Sequence, residues 1–218
     1  QSENLKDFLA EKNEFGLVQA LVRLIDPSFG FDLFLQSDYP LGSGLGGSAA
    51  LSAAVLGSFN MLRSDKWTSH EISELAFQAE RLYLKISGGW QDQYATVFGG
   101  FNFIEFNMKN NVIHPLKIQK ETLLELEESL LLCDTLVSHQ SGAIHDNQKE
   151  VMQDDKVKKL VQENVELSYQ MRNYLLRGEL ESFGECLDKT WRLKRQFGDK
   201  ISSQAIDEIY EGAKKMGH

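Results

Sequence analysis

Apolar residues recur along the chain with two periods, and the points where the period changes mark its elements. From Phe15 to Ile25 the positions Phe15, Val18, Leu21, Val22 and Ile25 follow helical spacing. Asp26-Pro27 closes that helix, because the residue before proline avoids the α region. Phe31, Leu33 and Leu35 then alternate with Asp32, Phe34 and Gln36, which predicts a strand. A glycine-rich loop, Pro40 to Gly47, comes next. Ser48 opens a helix with Leu51, Val55, Phe59 and Leu62 on one face. Its first turns are crowded with small residues (Ala49, Ala50, Ser52, Ala53, Ala54), so another element has to approach it closely. Thr68 and Glu71 stand at capping-box spacing, Trp67 can staple onto Ile72, and the helix they start is expected to reach Leu84.

A second glycine-bearing loop, Ser87 to Gln93, follows. Gly100 to Phe106 and Val112 to Ile118 read as strands joined by a polar turn at Asn107 to Asn111. Beyond residue 118 the texture changes. Glu121 to Glu128 is an acidic helix and Leu130 to Val137 a short buried strand. Three amphipathic stripes close the chain. One runs through Val157, Leu160, Val161, Val165, Ser168, Met171 and Leu175. The second holds Leu180, Phe183, Leu187 and Trp191, and the third Ile206, Ile209, Tyr210 and Ala213. The pattern predicts an α+β protein, with a mixed α/β half at 1–118 and a helix-rich half at 119–218.

Composition narrows the function classes. The chain has 218 residues, with 32 Asp+Glu against 23 Lys+Arg and a formal net charge of −9. That balance argues against a nucleic-acid partner, which would need a basic footprint. No apolar run reaches the ~20 residues of a membrane helix, so no membrane partner is expected. Cys133 and Cys186 make no disulfide framework, which points to a reducing, cytoplasmic setting. Five scattered histidines with no Cys/His cluster give no case for zinc.

The stretch carrying most chemistry is Pro40-Leu41-Gly42-Ser43-Gly44-Leu45-Gly46-Gly47-Ser48-Ala49-Ala50, between a predicted strand and a predicted helix. Its glycines let backbone N–H groups turn against a ligand, and the helix starting at Ser48 adds free N–H groups and the positive end of its dipole. Together these suit phosphate. The loop is not a Walker A motif, since no Gly-Lys-Ser/Thr ends it. Gly42, Gly44 and Gly47 satisfy G-x-G-x-x-G, but the acidic residue that a dinucleotide fold places after a second strand is missing. A flexible connector is the plainer alternative.

Pro40-x-Gly42-x-Gly44-Leu45-Gly46-x-Ser48-Ala49-Ala50 closely resembles the central phosphate motif of the GHMP kinases, the superfamily of galactokinase, homoserine kinase, mevalonate kinase and phosphomevalonate kinase. The family usually has Ser-Ser after Gly-Leu-Gly; here the first of the two is Gly47. The resemblance implies that Gly42, Ser43, Gly44, Leu45, Gly46, Gly47 and Ser48 hold the phosphates of ATP, with the Ser48 hydroxyl on Mg²⁺. It also assigns Asp92, in Gly88-Gly89-Trp90-Gln91-Asp92-Gln93, as the catalytic aspartate, and Glu80 as the helix glutamate that assists Mg²⁺. A solvated helix carboxylate is the plainer reading of Glu80, and a loop cap that of Asp92.

The second loop, continuing into Phe98-Gly-Gly-Phe-Asn-Phe-Ile-Glu-Phe106, resembles the D-glycero-D-manno-heptose 7-phosphate kinase branch, and fucokinases share part of it. Leu130 to Cys133, Ser141-Gly142, Arg177-Gly178 and Thr190 to Arg195 resemble that branch too. His139 stands where the branch commonly has an arginine. Lys194 and Arg195 could reach an anionic substrate, but solvated charge is the plainer reading of both. The implied fold has two domains, the first with a left-handed βαβ unit. The implied partners are ATP and a sugar phosphate, and a homodimer is left open. Of the three motifs the superfamily uses, only the second is found, so a chain incomplete at both ends is expected.

Overall fold

A computed structural model describes residues 4–11, 14–38, 43–107, 110–135, 154–198 and 201–216. The chain forms two compact units, Gln1–Gly100 with Phe106–Asn111, and Phe101–Glu105 with Val112–His218.

The first unit is helical. Its elements are α1 (Leu5–Ala10), α2 (Gly16–Ile25), α3 (Gly47–Leu62), α4 (Ser69–Gln78) and α5 (Gln91–Phe98). The sequence pattern gave no sign of α1. Helix α3 lies at the centre, with α2, α4 and α5 packed on it. Its buried positions are Ala49, Ser52, Val55, Leu56 and Phe59. The small Ala49 and Ser52 let neighbouring helices come close, as the crowd of small residues predicted. The buried face differs from the expected one: Leu62 is 68% exposed. Ala20, Leu21, Ile25, Val55, Leu56 and Phe59 form the core with Ala76 and Ala79.

The capping box forms. Glu71 N–H donates to Thr68 Oγ1 at 3.3 Å and Thr68 N–H donates to Glu71 Oε2 at 2.7 Å. Helix α4 changes to a π-helical stretch at Ala79–Tyr83. That register change cannot be read from apolar spacing, and the stretch carries Glu80.

Two predicted strands are corrected. Residues 31–36 form no ladder, although Phe31 and Leu33 do pack on the core and Phe34 is 92% exposed. The alternation leaves Phe31 and Leu33 half-buried and Asp32 and Phe34 open, but among the described residues no strand offers the segment's backbone a partner. Leu130, Leu131 and Leu132, expected in a buried strand, are 57%, 78% and 82% exposed; the rest of that segment, from 136, lies outside the described residues. The one sheet among the described residues is the hairpin β1 (Asn102–Phe106) and β2 (Asn111–Pro115). No helix lies between its two strands, so among the described residues the left-handed βαβ unit is not formed.

The second unit contains α6 (Lys120–Ser129), α7 (Asp155–Arg177), α8 (Leu180–Lys194) and α9 (Gln204–Lys215). The acidic helix and all three stripes are where the period predicted them. Helices α7 and α8 pack against each other, burying Leu167, Leu175 and Cys186. Arg195 pairs with Asp207 at 3.1 Å within this unit.

Candidate active site

The site is built from the two glycine loops of the first unit. Gly44 and Gly46 have φ of +73° and +72°, where a side chain would be strained. Gly46 caps α3 without a side-chain hydrogen bond. Its carbonyl accepts from Ala50 N–H at 2.9 Å, the first bond of the ladder. The N–H groups of Gly47, Ser48 and Ala49 therefore precede the ladder, at the positive end of a 16-residue helix. Ser43, Gly44, Leu45, Gly47 and Ser48 are exposed and Gly46 half-buried. Gly42 lies outside the described residues.

Asp92 is brought to this helix end. A methyl group placed on Gly46 would lie 3.9 Å from Asp92 Cβ. The second loop is shorter than the sequence predicted, because α5 starts at Gln91. Asp92 thus belongs to a helical first turn, where the dipole favours its negative charge. Its side chain is exposed, while the next two residues, Gln93 and Tyr94, are buried. Helical rotation separates them: Gln93 and Tyr94 anchor α5 and Asp92 faces out.

Glu80 is only 3% exposed, which sets aside the solvated-carboxylate reading. A buried carboxylate needs partners, and it has two. Gln93 Nε2 donates to Oε1 at 3.2 Å and Arg81 Nη1 pairs with Oε2 at 3.2 Å. The glutamine next to Asp92 in sequence is thus bonded to Glu80. Trp90 stacks on Phe77, with ring centroids 4.3 Å apart and planes 11° apart, which ties the loop to α4. Tyr94 O–H donates to Glu74 Oε1 at 2.6 Å. Burial first, and that bond second, push the Tyr94 phenol up to about 12.

The donor set fits Mg²⁺ in kind. The Ser48 hydroxyl and Glu80 carboxylate are hard oxygens, and Gln93 Oε1 is a buried oxygen with no hydrogen-bond partner among the described residues. Among the described residues no group of three His, Cys, Asp or Glu side chains could hold a metal alone. Mg²⁺ asks for less, taking one or two protein groups with substrate phosphates.

Ser48 lies in the first turn of α3, Glu80 in the π-helical stretch and Asp92 in the first turn of α5; the sequence reading gave no role to Gln93 or Arg81. A buried glutamine beside a glycine loop carries no periodic signal. His139 lies outside the described residues.

Residues 13–100 match the GHMP kinases N terminal domain, the stretch that contains both loops. This segment belongs to that family. The D-glycero-alpha-D-manno-heptose 7-phosphate kinase of Campylobacter jejuni is 32% identical to the chain over 212 residues, 94% of this chain and 62% of that protein. The bifunctional fucokinase/GDP-fucose pyrophosphorylase of Arabidopsis thaliana is 27% identical over 84% of this chain and 18% of its own length. Among solved structures, a D-glycero-D-manno-heptose 1-phosphate kinase from Bacteroides thetaiotaomicron superposes with a TM-score of 0.64 at 26% identity. That match covers 86% of this chain and 58% of the other. The fold is that of the GHMP kinases, and the chain spans under two thirds of the length of these relatives. No helix of the described residues is long and apolar enough to cross a membrane.

Proposed function

We propose that this chain carries the phosphoryl-transfer site of an ATP- and Mg²⁺-dependent sugar-1-kinase acting on D-glycero-D-manno-heptose 7-phosphate. The product would be the 1,7-bisphosphate, a precursor of nucleotide-activated heptose for surface polysaccharide or glycoprotein synthesis in the cytoplasm. The observation that carries the reading is the approach of Asp92 Cβ to within 3.9 Å of a methyl group placed on Gly46, the N-cap of α3, which supports a catalytic carboxylate beside a phosphate-binding helix end. The heptose acceptor is supported by similarity along 94% of the chain to a heptose 7-phosphate kinase.

Each group has a task in this reading. The first N–H groups of α3, with the loop amides from Gly42 to Gly47, hold the phosphates of ATP. Ser48 and Glu80 would hold the metal, which when bound would neutralise phosphate charge. Asp92 accepts the proton of the anomeric hydroxyl or aligns it as the γ-phosphoryl moves. Catalysis is then mostly positioning and charge stabilisation. Residues 1–118 and 119–218 would be the N- and C-terminal kinase domains.

A fucokinase-like reading has its own support in the similarity to the plant bifunctional enzyme. Initial rates with Mg-ATP and a panel of heptose 7-phosphate, fucose and galactose separate the two, using the full reading frame. Heptose 7-phosphate should give the highest kcat/KM. Fucose turnover without heptose 7-phosphate turnover would sink the heptose assignment. No turnover with any sugar would favour a non-catalytic binding protein.

A further inference from the structure

We propose that Arg81 is a positioning residue that ties Glu80 to the loop delivering Asp92, and that position 88 is glycine so that the guanidinium can lie against the chain there. The catalytic part of this proposal rests on the sugar-kinase reading; the clamp itself does not. Arg81 is turned toward both neighbours. Nη1 is 3.2 Å from Glu80 Oε2 and 3.5 Å from the Ile86 carbonyl oxygen. Nη2 donates to the Gly89 carbonyl at 3.3 Å. The Arg81 side chain is 11% exposed and that of Glu80 4%, so their pair is made largely out of water, where charge-assisted bonds count for more; the two carbonyls belong to exposed residues of the loop.

Gly88 is the second, independent observation. A methyl group there would come within 2.5 Å of Arg81 Cζ and Nη2 and 2.9 Å of Nε. Any side chain at 88 must push the guanidinium away, and the guanidinium has little room to move while it holds Glu80 and Gly89. The planar fork matters as well. One guanidinium can reach a carboxylate and two carbonyls in fixed directions; a lysine ammonium is a single point charge on a flexible stem. The π-helical stretch Ala79–Tyr83 carries both Glu80 and Arg81, and such irregular turns collect at functional sites. From Gly89 the chain runs through Trp90, the N-cap of α5, to Asp92 in its first turn. Release of the clamp lets the 86–89 segment shift, and Asp92 with it. Misplacement of a catalytic carboxylate by about 1 Å is enough to cost a large factor in rate.

The test uses the full-length protein with Arg81→Ala, Arg81→Lys, Gly88→Ala and the Arg81→Ala/Gly88→Ala double variant. Hydrogen exchange followed by mass spectrometry reads the clamp: Arg81→Ala should speed exchange of the amides of residues 86–93 about tenfold and leave α2 unchanged. Kinetics read the positioning: kcat should fall about tenfold or more with KM for ATP nearly constant, and Arg81→Lys should recover only part of it. Gly88→Ala should lower kcat in the wild-type background and add little to Arg81→Ala, because both act on one contact. Unchanged exchange at 86–93, or a folded Arg81→Ala with kcat within about twofold of wild type, overturns the proposal. If Arg81→Ala does not fold, Arg81→Lys and Gly88→Ala carry the same two readouts. If the wild type transfers no phosphoryl group, the sugar-kinase reading fails while the exchange result still decides the clamp.

Discussion

A carboxylate as buried as that of Glu80 is tolerated only with partners, and the chain brings one from its own helix and one from α5. Gln93 is the more informative of the two. Gln93→Leu would leave Glu80 Oε1 buried without its donor. Urea unfolding should show a loss of about 1–3 kcal/mol, the usual cost of an unsatisfied buried acceptor. Tyr94 makes a pH prediction. Its phenol is held up to about 12 from an ordinary 10. Between these values the native state keeps a proton that the unfolded chain has lost, so stability falls as pH rises through the window. Thermal melts from pH 10 upward should fall more steeply for wild type than for Tyr94→Phe. At this scale the two glycine loops that carry Ser48 and Asp92 were legible because their residues stand at motif spacing. The bond from Gln93 to Glu80 was not, since residues 80 and 93 meet only once α5 packs on α4; the Arg81 pair depends on the π-helical register, which spacing does not reveal.

The elements were read best where a local device specifies them. The capping box at Thr68 and Glu71 formed as the spacing required. Thr68→Ala should cost about 1 kcal/mol by thermal or urea unfolding. Hydrogen bonds from the Thr68 backbone, then from its hydroxyl, hold the Glu71 carboxyl below its ordinary 4.5. A depressed carboxylate gives stability that is present above the unfolded value and lost as pH falls through the folded one. The difference between wild type and Thr68→Ala should therefore shrink below pH 4.5. Elements that depend on distant partners were read less well. Phe31 to Gln36 has a strand's alternation, and Phe31 does rest on Phe59 with ring centroids 4.9 Å apart. A strand also needs a neighbour to bond, and alternation says nothing of that. The exposed leucines at 130–132 make the same point, since an apolar run marks a segment that wants cover without naming what covers it.

For the molecule as a whole, the net charge of −9 gives the proposed substrates no general attraction. ATP and a sugar phosphate would have to be held by local devices: a helix N-terminus, loop amides and a metal. Those devices occupy a small part of the first unit, which explains why two short motifs carried so much of the functional reading while overall composition carried little. The central claim is that Asp92, set against the α3 N-terminus, acts on an acceptor hydroxyl. Its most direct test is the initial rate of phosphoryl transfer from Mg-ATP to heptose 7-phosphate by the full-length protein, wild type against Asp92→Asn. The account predicts that wild type forms the 1,7-bisphosphate and that the variant's kcat drops by about 100-fold or more with KM for ATP nearly unchanged. Equal rates for the two proteins would contradict it.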